Sequence, residues 1–236
     1  MTESEPNHAP SSAGPTLAAI MTAILVIQAT AWASGLRGRT LAEAVERGAA
    51  RVEELSVGEV AEAEIRRAIE VQRSSLRFWA VLAAVGDLVV EPLIPALRAL
   101  LAASGFAAIA ALSGRPVRYA EALAGAAEAQ WFWVIGLGVR LGLMIWLGRP
   151  EVETSVALWL PAGSYPASSW MAARQLDLFA LVGWIAVGWS GRRLGLVGPA
   201  SATGICVLLW GIESLLRMGT ATLCGAAIRV TLLPQS

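Results

Sequence analysis

The chain has no lysine, one histidine (His8), two cysteines and two aspartates, and only 15% of its 236 residues are charged. Without lysine there is no Schiff-base or lysine-nucleophile chemistry. One histidine, in a Pro/Ser-rich opening, removes His-based metal centres and histidine-assisted triads of the usual kinds. Cys206 and Cys224 stand in apolar surroundings near the C-terminus and read as reduced core residues, not as a disulfide framework or a metal cluster. Net charge is missing too: 18 Arg balance 18 Asp plus Glu, so nothing advertises a nucleic-acid partner. There is no Gly-x-Ser-x-Gly element and no phosphate-cradling glycine loop. Asp87 and Asp177 both fall in or near apolar spans, but Ala84-Val-Gly-Asp87 lacks the Gly-x-Gly-Asp pattern of intramembrane aspartyl proteases. A non-enzymatic chain is expected, with no catalytic residue, cofactor or metal ligand.

What is abundant is apolar surface. Hydrophobic residues make up 56% of the chain and the mean hydropathy is +0.60, whereas a soluble domain carries about 25% charged residues. The expected fold class is therefore all-α: a polytopic integral membrane helical bundle of about five transmembrane helices, with an amphipathic helical segment between the first and second spans. Residues 1–15 read as a disordered tail without a basic n-region, so the apolar run that follows is a retained span and not a signal peptide.

The first span occupies 16–36 and is closed by Arg37 and Arg39. Residues 37–76 change character: eight Glu, with interspersed Arg, lie between Thr40 and Arg73, and no proline interrupts them. Thr40-Leu-Ala-Glu43 and Ser56-Val-Gly-Glu59 both fit the capping box, so two amphipathic helices are expected. Their matched charges suit helix pairing, or a peripheral partner over 40–73, better than adsorption on lipid. A four-span bundle fills 77–236. Its first span, Phe78 to Leu112, contains Pro92 and Pro95 and reads either as one kinked crossing, which we favour, or as an interfacial half followed by a crossing from Pro92. The next runs from Trp131 to Leu147 with tryptophans at its flanks, led into by Tyr119 to Gln130. The loop Arg149 to Ser169 has one apolar patch, Val156 to Leu160. Only fourteen uncharged residues separate Asp177 from Arg192, so the fourth span is expected to start near Ser168 with Asp177 inside its helix. The last begins after Arg192 and Arg193, runs through Gly198 to Ile212, and meets Glu213 and Arg217 before an apolar tail ending at Arg229.

Charges inside hydrocarbon cost at least ~2.5 kcal/mol each, so Asp87, Glu91, Arg98, Arg140, Asp177 and Glu213 are the candidate buried polar network. At 100° per residue Asp87, Glu91 and Arg98 fall within about 40° on one helix face. That stripe reads as mutual neutralisation, or as the lining of a route in a small transporter or channel. Arg140 lies between Gly138 and Gly142, a spacing that admits a close neighbouring helix, with Glu213 or Glu91 as the expected partner. The bland reading of Asp177 is a helix-terminal or interhelical carboxylate.

Three stretches carry a family resemblance: Ser56-Val-Gly-Glu with Ile69-Glu-Val-Gln72, Gly114-Arg-Pro-Val with Tyr119, and above all Leu176-Asp-Leu-Phe179 at the mouth of a late apolar helix. In these the chain resembles bacterial members of the Yip1 family over most of its length. The resemblance implies a five-span protein of the bacterial inner membrane, without enzymatic activity, working as a membrane-organising scaffold through protein or lipid contacts. Self-association into a homo-oligomer is compatible with it. It also implies a cytosolic N-terminus with the basic turns Arg115/Arg118 and Arg192/Arg193 on the cytoplasmic side, although the eight Arg from Arg37 to Arg77 alone would draw that loop inside instead.

Overall fold

A computed structural model describes residues 13–56, 62–160 and 167–230. It is helical throughout, with no strand among the described residues. The helices are α1 (Ala13–Ala33), α2 (Leu36–Ser56), α3 (Glu62–Ser74), α4 (Leu76–Val85), α5 (Glu91–Leu112), α6 (Tyr119–Ala129), α7 (Trp131–Leu147), α8 (Ala167–Arg174), α9 (Leu178–Arg193) and α10 (Pro199–Val230). A π-helical segment, Gly86–Val90, joins α4 to α5, and a 3₁₀ turn covers Val156–Trp159. Among the described residues, four helical runs are long and apolar enough to cross a membrane: Ala13–Ala33, Glu62–Leu112, Tyr119–Leu147 and Pro199–Thr220.

Two compact units are present. The first comprises the described residues up to Leu25, with Glu91–Gly138 and Leu176–Glu213. Its core is built on alanine: Ala99, Ala102, Ala103 and Ala110 of α5 and Ala122, Ala126 and Ala127 of α6 are fully buried around Phe106, Val187 and Leu196. Small side chains let helix axes approach, and α6 lies in contact with both α5 and α9. Gly191 faces the Phe106 ring so closely that a Cβ there would stand 2.9 Å from it, and Gly125 faces Ser190 at 3.0 Å. Outward, α5 presents Leu93, Leu97, Leu100 and Leu101, the apolar surface expected against lipid tails. Both α5 and α9 end in the same way. Gly114 and Gly195 adopt φ of 67° and 70°, which lets Arg115 N–H reach Ala110 O and Leu196 N–H reach Gly191 O at 2.8 and 3.2 Å.

The second unit comprises Val26–Val90, Val139–Gln175 and the described residues from Ser214 onward. Here α2 packs on α3 and α4, and a two-pronged bond from Arg73 Nε and Nη2 to Glu46, at 3.0 and 2.8 Å, ties α2 to α3. That bond holds the Glu46 carboxyl below its ordinary range. The helix pairing expected from the matched charges of this stretch is present. Its capping is different, because α2 already begins at Leu36, after Gly35 at φ 74°, which leaves Thr40 inside the helix. The Thr40 hydroxyl lies 2.9 Å from Leu36 O and 2.8 Å from Pro150 O. The second capping box, Ser56 to Glu59, runs into residues outside those described, as do His8 and most of the N-terminal tail. The last residues of that tail, Ala13 to Pro15, belong to α1, where proline is tolerated because first-turn N–H groups have no helical partner.

Two further expectations change. The run from Leu76 to Leu112 is one continuous helical track, but Gly86–Val90 is wound as π-helix ahead of Pro92 and Pro95. A proline lacks the N–H and crowds the carbonyl four residues back, and a wider turn relieves both. Because a π turn rotates the chain less per residue, the wheel that aligned Asp87 with Arg98 does not hold across it. Asp177, expected inside a helix starting near Ser168, is instead the N-cap of α9, and residues 175–177 separate α8 from α9. At 16 residues, α9 spans about 24 Å, short of the ~30 Å hydrocarbon thickness.

Candidate functional site

In the first unit, the most enclosed polar cluster sits where α5, α7 and α10 meet the α6–α7 junction. Arg98 is 7% exposed. It points inward because its turn of α5 offers Ala99 and Ala102 to the interior while Leu97, Leu100 and Leu101 point out. Its Nε donates to Glu213 Oε2 at 2.7 Å and its Nη2 to Glu213 Oε1, a two-pronged pairing that neutralises both groups. Nη1 lies 3.5 Å from Gln130 Oε1. Gln130 is fully buried between α6 and α7 and donates through Nε2 to Ala126 O at 3.1 Å. The flat face of the guanidinium lies 4.4 Å from the Trp133 ring centroid, and Trp133 meets Trp184 edge-on at 5.6 Å. Carboxylate, amide and indole thus enclose the cation.

In the second unit Asp87 is held by two side chains. Arg37 Nε lies 3.0 Å from Asp87 Oδ2 and Nη2 3.3 Å from Oδ1, while the Trp32 indole donates to Oδ2 at 3.1 Å. Arg37 Nη2 also reaches Gln28 Oε1 at 3.0 Å, and Gln28 is buried. The cluster joins the end of α1 and the start of α2 to the π segment. Arg140, on α7, donates through Nη2 to Thr154 Oγ1 at 3.0 Å. Thr154 lies in the loop where Arg174 Nη2 and Nε bind Glu151 and Glu153, each at 2.7 Å.

The six sequence candidates are found at several places in the two units. Arg98 and Glu213 are paired with each other in the first unit. Arg140, for which Glu213 or Glu91 is the expected partner, donates to Thr154 in the second. Asp87 belongs with Arg37, and Glu91 sits in the first turn of α5, where the helix dipole favours a carboxylate. Asp177 accepts from Phe179 N–H and Ala180 N–H at 2.9 and 3.2 Å. Asp177→Ala should cost about 1 kcal/mol of stability, read as a lowered Tm, while Asp177→Asn should retain most of it. Equal losses in the two variants would show that the cap is not what Asp177 supplies.

Close helix approach is carried at other glycines of the first unit as well. A Cβ on Gly142 would meet open space, whereas one on Gly136 would stand 2.6 Å from Phe179 and one on Gly183 nearer still to Trp133. Trp133, read from sequence as an interfacial flank, is half-buried and packs against the core of the first unit. Gln28, Gln130, Trp32 and Arg37 were not anticipated as participants. The two glutamines were the readable signal, since an amide within a long apolar run needs a buried partner.

Among the described residues no group of three or more His, Cys, Asp or Glu is placed to hold a metal ion. No protein-family model matches the sequence, and no curated protein or solved structure is significantly similar to it. Fold and clusters together define a protein that is all-helical among its described residues, four of whose described helical runs are apolar enough to cross a membrane, with Arg98 paired to Glu213 and Asp87 to Arg37.

Proposed function

We propose that the protein is a non-enzymatic integral membrane protein of Yip1 type that organises membrane components as a scaffold, through protein or lipid contacts. The observation that carries this reading is the Arg98–Glu213 pair. A polar route for solutes presents charges to water, and here the guanidinium is covered by a carboxylate, an amide and an indole. Such a group joins α5 to α10 and adds registry to a bundle whose core is rich in Ala. The paired helices α2 and α3, bridged by Arg73 and Glu46, supply a charged extramembrane platform for a protein partner.

Five crossings fit this reading if α9 is the additional span. Its short length would be met by snorkelling of Arg192 and Arg193 and by local thinning of the bilayer. Its Gly183, Trp184, Val187 and Gly191 are buried, while Ile185 and Trp189 are exposed.

Solute and ion flux into liposomes holding the purified protein tests the proposal. The expected rate equals that of protein-free liposomes, for wild type and for Glu91→Gln and Arg140→Leu alike. Flux in the wild type that both substitutions abolish, with Tm retained, would overturn the scaffold in favour of a transporter.

A further inference from the structure

Two turns that are far apart in sequence come together in the first unit. The α5–α6 turn and the α9–α10 turn are bonded by Arg115 Nη1 to Gly195 O at 3.3 Å. Four arginines, Arg115, Arg118, Arg192 and Arg193, are thereby gathered at the end of the unit where α5 and α9 stop and α6 and α10 begin, and all four are exposed. Little of this charge is neutralised internally. Arg118 has a single, half-exposed contact with Glu121 at 3.3 Å, and Arg193 makes no ion pair among the described residues. Glu121 is the only acidic residue in the two stretches 111–121 and 189–200.

Aromatic side chains stand in the same place. Arg192 lies 5.6 Å from the Trp189 ring, which is 62% exposed, and Tyr119 is exposed at the start of α6. Exposed Trp and Tyr beside arginines, at the ends of apolar helices, is the arrangement that settles at headgroup depth: the rings lie in the interface and the guanidinium groups meet phosphate.

We propose that this end of the unit binds the phosphate headgroups of anionic phospholipid in the leaflet it faces, with Arg118, Arg192 and Arg193 as phosphate ligands and Trp189 as the interfacial anchor. Arg115, committed to Gly195, sets the spacing of the two turns. An anionic leaflet of this kind is the cytoplasmic one. The inference rests on the integral-membrane reading but not on the scaffold role.

Binding of phosphatidylglycerol and of phosphatidylcholine to the full chain in detergent, followed by native mass spectrometry, is the test. Wild type should prefer phosphatidylglycerol. Arg193→Gln breaks no internal bond and should cut that preference about fivefold, the order expected for one basic residue at an anionic surface. Arg118→Gln/Arg192→Gln/Arg193→Gln should bring the two lipids to parity, and Arg66→Gln/Arg67→Gln, on exposed α3 positions, should change nothing. No preference in wild type, an equal loss in the α3 variant, or displacement of the lipid by millimolar inorganic phosphate would overturn the proposal. Failure of the membrane reading would be seen separately, as wild-type protein that stays soluble without detergent and does not float with liposomes.

Discussion

Glu213→Leu leaves the Arg98 guanidinium charged, buried and without its carboxylate, and should cost about 3–5 kcal/mol of stability. Few single replacements in this chain should cost more, because the acceptor that remains, Gln130 Oε1 at 3.5 Å, is uncharged and cannot replace the carboxylate. The companion experiment is the double replacement Arg98→Met/Glu213→Leu. Removing both charges together removes the desolvation cost along with the attraction, so the double variant should recover most of the loss and approach wild type. Thermal unfolding in detergent, read by size-exclusion fluorescence, gives both values. If the double variant is as unstable as the single, the pair is not a self-contained neutral unit. If Glu213→Leu unfolds like wild type, water reaches the cluster, and the case for a closed scaffold interior falls with it.

The same pair shows how far the sequence could be read. Arg98 and Glu213 were legible individually, because charges in apolar runs of this length are rare and costly. Their pairing was not legible, since 115 residues separate them and the helical wheel places a residue only on its own helix. That wheel also assumes 100° per residue, and the π segment at Gly86–Val90 breaks the assumption between Asp87 and Arg98. The amphipathic stretch fared better. Its charge matching was a local property, and α2 and α3 appear where it placed them, although Gly35 rather than Thr40 sets where α2 begins. The fourth span was drawn by arithmetic on a ~20-residue crossing. Local chemistry decided otherwise, because a carboxylate one residue before Leu178 satisfies two backbone donors that a continuous helix would not leave free.

Glycine roles were the least legible feature, and they carry the second large effect. Gly183 lies on α9 directly under the six-membered ring of Trp133, so that a Cβ there would sit inside the van der Waals surface of that ring. The indole has little room to yield, since Arg98 covers its face at 4.4 Å and Trp184 abuts its edge at 5.6 Å. Gly183→Ala should therefore cost about 1–3 kcal/mol as an overpacked core position, although alanine favours a helix over glycine by up to ~1 kcal/mol at an unconstrained site. The sign of the change identifies the cause: propensity alone would raise Tm, and the steric conflict should lower it. A double-mutant cycle with Trp133→Leu isolates the contact. In that background the added methyl meets a shorter, flexible side chain, and Gly183→Ala should be close to neutral, giving a coupling energy within the ~0.5–3 kcal/mol range of residues in contact. Simple additivity of the two replacements would mean that Trp133 does not occupy the space over Gly183. The indole would then not cover Arg98 either, and the enclosure of the Arg98–Glu213 pair would lose one of its walls.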